Sequence, residues 1–238
     1  MPNPLYEKLG PVRKTRLNEE VVTRIKRLIY SKELKVGEKL PSERDLAARL
    51  KVSRVILREA LRSLEQSGLV EIRPGLRGGA FVVYNLQKPL FDSLYDLFSG
   101  GSLTPSHFTE ARKAIECCAI GRAVENATAE SIEKLSQLNE SMVADFDRER
   151  FVAQNMAFHT TLADLSENPL LSLMVRALFD LLKRLRPEFV QRERFMKETY
   201  KRHKDLIEAI RQKDISLCVD LLASDVDYTR KLKNLEPK

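Results

Sequence analysis

The chain has 238 residues, 43% hydrophobic and 32% charged with little Gly or Pro, which is an ordinary composition with room for one or two domains and a sizeable core. No run approaches the roughly 18 apolar residues of a membrane-spanning helix, and MPNPLYEKLG has no apolar signal core, so no membrane partner is expected and the cytoplasm is the expected compartment. The net charge of +7 is unevenly placed: residues 1–84 carry 18 Lys and Arg against 10 Asp and Glu, and the remainder 23 against 24. That asymmetry predicts an N-terminal module for polyanions and a C-terminal module with another task, although charge alone also fits a ribosomal or membrane-surface protein.

Residues 1–16, with Pro2, Pro4, Pro11 and the basic cluster Arg13, Lys14 and Arg16, read as an arm. From Leu17 to about Ser31, Val21, Ile25, Leu28 and Ile29 form a helical stripe with Asn18 as its N-cap candidate. Lys35-Val-Gly-Glu-Lys-Leu reads as a turn. Ser42 and Asp45 then have the spacing of a capping box, and Leu46, Ala47 and Leu50 follow at helical period. Lys51 and Val52 make a tight turn, and Ser53 can cap the next helix. In that helix Leu57, Ala60, Leu61 and Leu64 form an apolar stripe, while Arg54, Arg58 and Arg62 form a separate basic one. Gly68 sits where a C′ glycine ends a helix. A short helix, a turn, and a helix apolar on one flank and basic on another is the plan of helix-turn-helix DNA readers.

Leu69-Val-Glu-Ile-Arg and Ala80-Phe-Val-Val-Tyr, on either side of Pro74-Gly-Leu-Arg-Gly-Gly, read as a β-hairpin. Its loop offers Gly75 for close backbone approach, and Arg73 and Arg77 for a narrow, electronegative minor groove. Three helices and a hairpin make a winged helix-turn-helix. The run LPSERDLAARLKVSR…LREALRSLEQSGLVEIRPGLRGGAFV closely resembles the DNA-binding domain of GntR-family bacterial transcription regulators. In the FadR-like branch, the resemblance implies that Arg44, Arg54 and Arg58 reach the operator and Gly75 the minor groove. The chain departs from the family at Val55-Ile56, where small polar residues or proline are common. These two positions are expected to point outward, where apolar contact with a thymine methyl is the local reading.

Residues 85–103 start as a linker and become a short amphipathic segment through Leu90, Leu94, Leu97 and Phe98, broken by Gly100-Gly101. From Thr104 onward every segment has helical period. Breaks near Ala129, Asp147, Glu167-Asn168-Pro169, Arg186-Pro187 and Lys213-Asp214 predict about six helices, with Asn168 capping ahead of Pro169. The expected fold is thus mainly α, a winged helix-turn-helix joined to an all-α C-terminal bundle. Cys117, Cys118 and Cys218 are odd in number, lack CxxC spacing and lie in helical patterns, so they read as reduced core thiols.

Four polar residues fall on apolar stripes: Arg112, His159, His203 and Asp225, on what read as three helices that could converge inside the bundle. Each also has a plain structural reading. The histidines can be hydrogen-bonded core residues, Asp225 can pair with a neighbouring cation, and Arg112 can bridge to Glu116 at i+4.

EARKAIE at 110–116, NMAFHTTLADLSENPLL at 155–171 and HKDLIEAIRQKDISLCVDLLASD at 203–225 resemble, in family order, the helical effector domain of FadR-like regulators, the FCD type. The resemblance implies that 17–84 binds DNA and 104–238 binds an effector and dimerises. It implies a divalent metal held at Asn155, His159, His203 and Asp225, and a small carboxylate effector beside Arg112. Two corners depart from the family, which has Asp where this chain has Asn155 and His where it has Asp225. Two imidazoles, one carboxylate and one amide oxygen suit Zn, Mn or Ni.

The expected protein is a homodimeric, non-enzymatic repressor that binds a palindromic double-stranded operator and is released by its effector. The alternative is a metal-free regulator sensing acyl-CoA; further readings are a metal-dependent hydrolase and a sequence-neutral architectural DNA binder.

Overall fold

Caps and apolar stripes divide the chain into ten helices and one hairpin among the residues that the computed structural model describes, 16–75, 77–185 and 193–231. Contacts fall into two units divided between Pro89 and Leu90. The first holds α1 (Arg16–Tyr30), α2 (Glu43–Leu50), α3 (Arg54–Gln66), β1 (Val70–Arg73) and β2 (Gly79–Val82). Helix α4 (Gln87–Ser99) spans the division, and α5 (Pro105–Asn126), α6 (Ala129–Met142), α7 (Arg148–Leu165), α8 (Pro169–Leu185), α9 (Glu193–Arg211) and α10 (Ile215–Lys231) complete the second. The mainly helical fold with a two-stranded wing is the one the sequence predicts. No described helix is long and apolar enough to cross a membrane.

The first unit is built around one side of α3. Leu57, Ala60, Leu61 and Leu64 are buried against Val21, Ile25 and Ile29 of α1, Ala47 of α2, and Leu69, Val70 and Val82 of the hairpin. Each such leucine, isoleucine or valine contributes about 1.5–3 kcal/mol when fully withdrawn from water. Ser42 and Ser53 cap α2 and α3, accepting from the Asp45 and Ile56 N–H groups at 3.2 Å. Lys51 turns the chain between them in the left-handed region, φ 54°.

The hairpin is antiparallel, in register from Val70 opposite Val82 to Arg73 opposite Gly79. Residues 38–40, read from sequence as part of a turn, instead lie along β2: Leu40 N–H donates to Ala80 O and Val82 N–H to Glu38 O, both at 2.8 Å. Burial of Leu40 explains the difference, because a single apolar residue inside a polar segment gives no period to read.

Other expectations shift too. Arg16, placed in the arm, opens α1, and Asn18 lies inside that helix and does not cap it. The remainder of the arm and the break at Arg186-Pro187 lie outside the described residues. The linker is helical from Gln87. Leu97 points to solvent while Phe98 is buried with Phe108, Leu178 and Leu181. Cys118 is exposed, since its position on α5 falls one residue past the buried stripe; Cys117 is half-buried and Cys218 fully so. Burial pushes the Cys117 thiol up and the Cys218 thiol up to about 11, which keeps both protonated and unreactive.

In the second unit, Thr104, Thr128, Asp147, Asn168 and Asp214 each accept a hydrogen bond from the first turn of the following helix. The C-terminus of α5 is closed from outside. Lys213, in the left-handed region at φ 60°, donates from Nζ to Val124 O at 2.6 Å, Ala127 O at 2.9 Å and Glu125 O at 3.2 Å. An ammonium here meets three free carbonyls at the negative end of the helix dipole. Lys213→Met keeps the stem and removes the donors, and is expected to cost about 1–2 kcal/mol in urea unfolding followed by circular dichroism. A stability equal to that of the unsubstituted chain contradicts the capping role.

Candidate functional site

Two sets of residues emerge, one on each unit. On the first, the basic stripe of α3 faces solvent while its apolar stripe is buried, as a recognition helix requires. Arg44, Ser53 and Arg54 are exposed, and Val55 is 67% exposed. Ile56, expected to point outward like Val55, is half-buried, because one residue further round the helix turns it toward the core. Gly75 adopts φ 96° with nothing within 4 Å of where a Cβ would sit, and Arg77 is exposed beside it.

Arg58 is not a free side chain. Its Nη2 donates to Glu43 Oε2 at 2.7 Å and its Nε to Oε1 at 3.4 Å, a forked ion pair that ties α3 to the first turn of α2. That hydrogen bond holds the Glu43 carboxyl below its usual range. Sequence spacing gave no sign of the pair, whose members are 15 residues apart on different helices.

On the second unit, the four polar residues predicted on apolar stripes are brought together. They come from four helices rather than three (Arg112 on α5, His159 on α7, His203 on α9, Asp225 on α10), because the break at Lys213-Asp214 separates the last two. All four are at most 3% exposed. One ligand atom each from His159, His203 and Asp225 lies within 4.8 Å of the others. Asp225 Oδ2 stands 3.6 Å from His159 Nε2 and 3.8 Å from His203 Nε2, near enough for attraction and too far for a hydrogen bond.

A fifth residue organises them. Glu116, 4% exposed, takes the Arg112 Nε–H on Oε1 and lies 2.5 Å from His159 Nδ1 through Oε2. The Arg112 guanidinium lies over the Phe179 ring at 4.6 Å, with Nη2 3.4 Å from His159 Nε2. The i+4 pairing of Arg112 with Glu116 is visible in sequence; the link from Glu116 to His159, across two helices, is not. Burial raises the Glu116 carboxyl, but the Arg112 charge and then His159 outweigh it and hold it below its ordinary range. Asp225 behaves likewise: burial pushes it up, and His203, His159 and Arg112 bring it down to about 2. Burial pushes the His203 ring down, against the pull of Asp225, which favours a neutral imidazole.

Phe151 meets Phe195 edge-on at 5.7 Å, and Phe158 stacks on His203 at 3.9 Å, so α7 and α9 run in the same direction along this seam. Asn155 and Thr199 therefore lie at one level, each a turn before its histidine. Both His203 ring nitrogens, Asp225 Oδ1, Asn155 Oδ1 and Thr199 Oγ1 are buried without a hydrogen-bond partner among the described residues. Buried acceptors cost about 1–3 kcal/mol each when unpaired. A donor set rich in lone pairs, with two imidazoles and a carboxylate within reach of one point, fits a divalent cation.

Residues 17–82 match the family described as bacterial regulatory proteins, gntR family, and residues 107–227 match the FCD domain. The HTH-type transcriptional repressors NanR of Citrobacter rodentium and Cronobacter sakazakii are 33% and 31% identical over 217 and 218 residues, covering 86% of this chain and 80% of theirs. The solved structure of Streptococcus agalactiae GntR shares the fold, with a TM-score of 0.66 at 23% identity over 90% of this chain and 99% of that one. With the exposed basic helix, the wing and these matches in hand, the chain belongs to the GntR family of bacterial transcription regulators, in the group carrying an FCD domain, and is a DNA-binding regulator rather than an enzyme.

Proposed function

We propose that the protein is a cytoplasmic, homodimeric repressor that binds a palindromic operator and releases it when a small carboxylate occupies the second unit beside a divalent metal. The observation that carries the sensing half is the convergence of His159, His203, Asp225 and Arg112, with Glu116, inside a bundle whose core is mostly apolar. Buried charge on that scale costs stability, which a ligand-binding role explains and packing does not. Such a charged interior also speaks for a small polar anion over the long apolar chain of an acyl-CoA.

His159, His203 and Asp225 would hold the metal, with Asn155 one turn away on α7 as the fourth candidate. When bound, a Zn, Mn or Ni ion supplies a positive centre that draws a carboxylate. Arg112 supplies the forked donor that orients it, and the surrounding aromatic rings exclude water. On the first unit, Lys and Arg contacts to phosphates supply affinity. Arg44, Arg54 and Arg58 read base edges, Ser53 sets the start of the recognition helix, the exposed Val55 supplies apolar contact, and Gly75 and Arg77 approach the minor groove. One recognition helix spans only a half-site, so two-fold pairing supplies the second, about 34–36 Å away. An effector releases DNA by favouring an arrangement in which that spacing is lost.

The test selects duplexes from a random-sequence pool and measures their binding by fluorescence anisotropy at fixed salt. The enriched sequence is expected to be two-fold symmetric. Arg58→Ala should lower discrimination at one position per half-site by about 10- to 100-fold, the worth of a bidentate contact. ZnCl2 with a panel of small hydroxy, keto and sugar acids should release the DNA from the unsubstituted chain. The His159→Ala/His203→Ala variant should bind DNA normally and not be released. Enrichment without sequence preference, or release that persists in the double variant, sinks the reading.

A further inference from the structure

We propose that Arg112 occupies, as a tethered cation, the coordination point of His159 that a metal ion needs, so that metal and carboxylate bind as a linked pair. This rests on the metal reading above. At 2.5 Å from Glu116 Oε2, His159 Nδ1 is already engaged, so Nε2 is the ring nitrogen left for a metal ion. Nε2 is also the His159 atom that faces the Asp225 carboxylate, 3.6 Å from Oδ2, within the candidate ligand group of His159, His203 and Asp225. That nitrogen already has a cationic neighbour: Arg112 Nη2 lies 3.4 Å away. A guanidinium stays protonated and has nothing to offer a metal, so it competes for Nε2 and cannot share it.

Two consequences follow from the chemistry of the group. An ion bonded to Nε2 takes away the acceptor that Nη2 faces, and it sets a second positive charge beside the guanidinium in a buried site, where like charges repel strongly. Nη2 becomes a buried donor without an acceptor. A carboxylate oxygen satisfies it and lies between the two positive centres, lowering their repulsion. Arg112 does not leave the site, because Glu116 holds its Nε and the Phe179 ring lies against its plane. It turns about a fixed inner nitrogen. Metal therefore binds weakly until a carboxylate arrives, and the carboxylate binds weakly without metal, each raising the other's affinity by the same factor.

Isothermal titration of the full chain with ZnCl2, in carboxylate-free buffer and then in rising acetate, tests this. Acetate is expected to tighten metal binding to the unsubstituted chain. Arg112→Gln is expected to bind metal at least tenfold more tightly without acetate, and to gain nothing from it. Since this change leaves Glu116 short of a partner, Arg112→Gln/Glu116→Gln, which keeps the net charge, is measured beside it and should shift the same way. Circular dichroism identifies which variant is folded. Metal affinity that is equal or weaker in the folded variant overturns the proposal, as does acetate-independent binding by the unsubstituted chain. If none of the proteins takes up metal, the metal reading fails with it.

Discussion

Glu116→Ala is expected to destabilise the second unit by about 3–5 kcal/mol, because it strands a buried guanidinium and a buried imidazole N–H together. Both partners are nearly inaccessible, Arg112 at 2% and His159 at 1%, so water cannot replace the lost carboxylate without the helices parting. Glu116→Gln should cost less, since an amide oxygen still accepts from His159 Nδ1 while the charge pairing with Arg112 is lost. Hydrogen exchange of the α5 and α7 amides separates the cases. Protection should fall steeply in the Ala variant, partly in the Gln variant, and not at all in the first unit. Unchanged protection of α5 and α7 in Glu116→Ala would show that Glu116 is not what holds the cluster.

Gly68→Ala is expected to be the most damaging single methyl in the first unit. Gly68 has φ 71°, and a Cβ there would come within 2.0 Å of the Asn85 carbonyl oxygen and 2.8 Å of its carbon. The left-handed backbone alone costs an L-residue about 1–2 kcal/mol. The clash is with main chain, so no rotamer relieves it; Asn85 N–H also donates to Gly68 O at 2.8 Å, which pins the two segments together. Together these are expected to cost about 3–5 kcal/mol. Calorimetry should show the first unit melting lower, with DNA binding lost at temperatures where the second unit remains folded. A variant that still binds duplex DNA with unchanged thermal stability would mean that the Gly68–Asn85 approach is not tight.

The parts of this molecule legible in sequence are those whose cause is local. Ser53, Lys51, Gly68 and the Leu57-Ala60-Leu61-Leu64 stripe declare α3 because a cap, a turn, a stop and a period each act within a few residues. The same holds for Asn168 and the breaks among the later helices. What escaped depends on partners far along the chain. The pairing of Glu43 with Arg58, the seat of Lys213 on three carbonyls at the end of α5, and the contact of Glu116 with His159 all require the tertiary fold first. Polar residues on apolar stripes were the useful intermediate case. Arg112, His159, His203 and Asp225 announced by burial alone that something must pair with them, though not that Glu116 would hold two of the five together.

The seating of α10 against α5 bears on how the chain is made. Lys113 bonds Asp227 at 2.6 Å across 114 residues, and Cys218 and Leu222 complete the core begun by Ile120, Ala123 and Val124. During synthesis α5 therefore waits for its neighbour while more than a hundred residues are added, on the order of ten seconds at about 5–20 residues per second. The winged unit needs no residue beyond Pro89 and can form long before. For that interval a nascent chain would carry a folded winged unit beside an unfinished helical one.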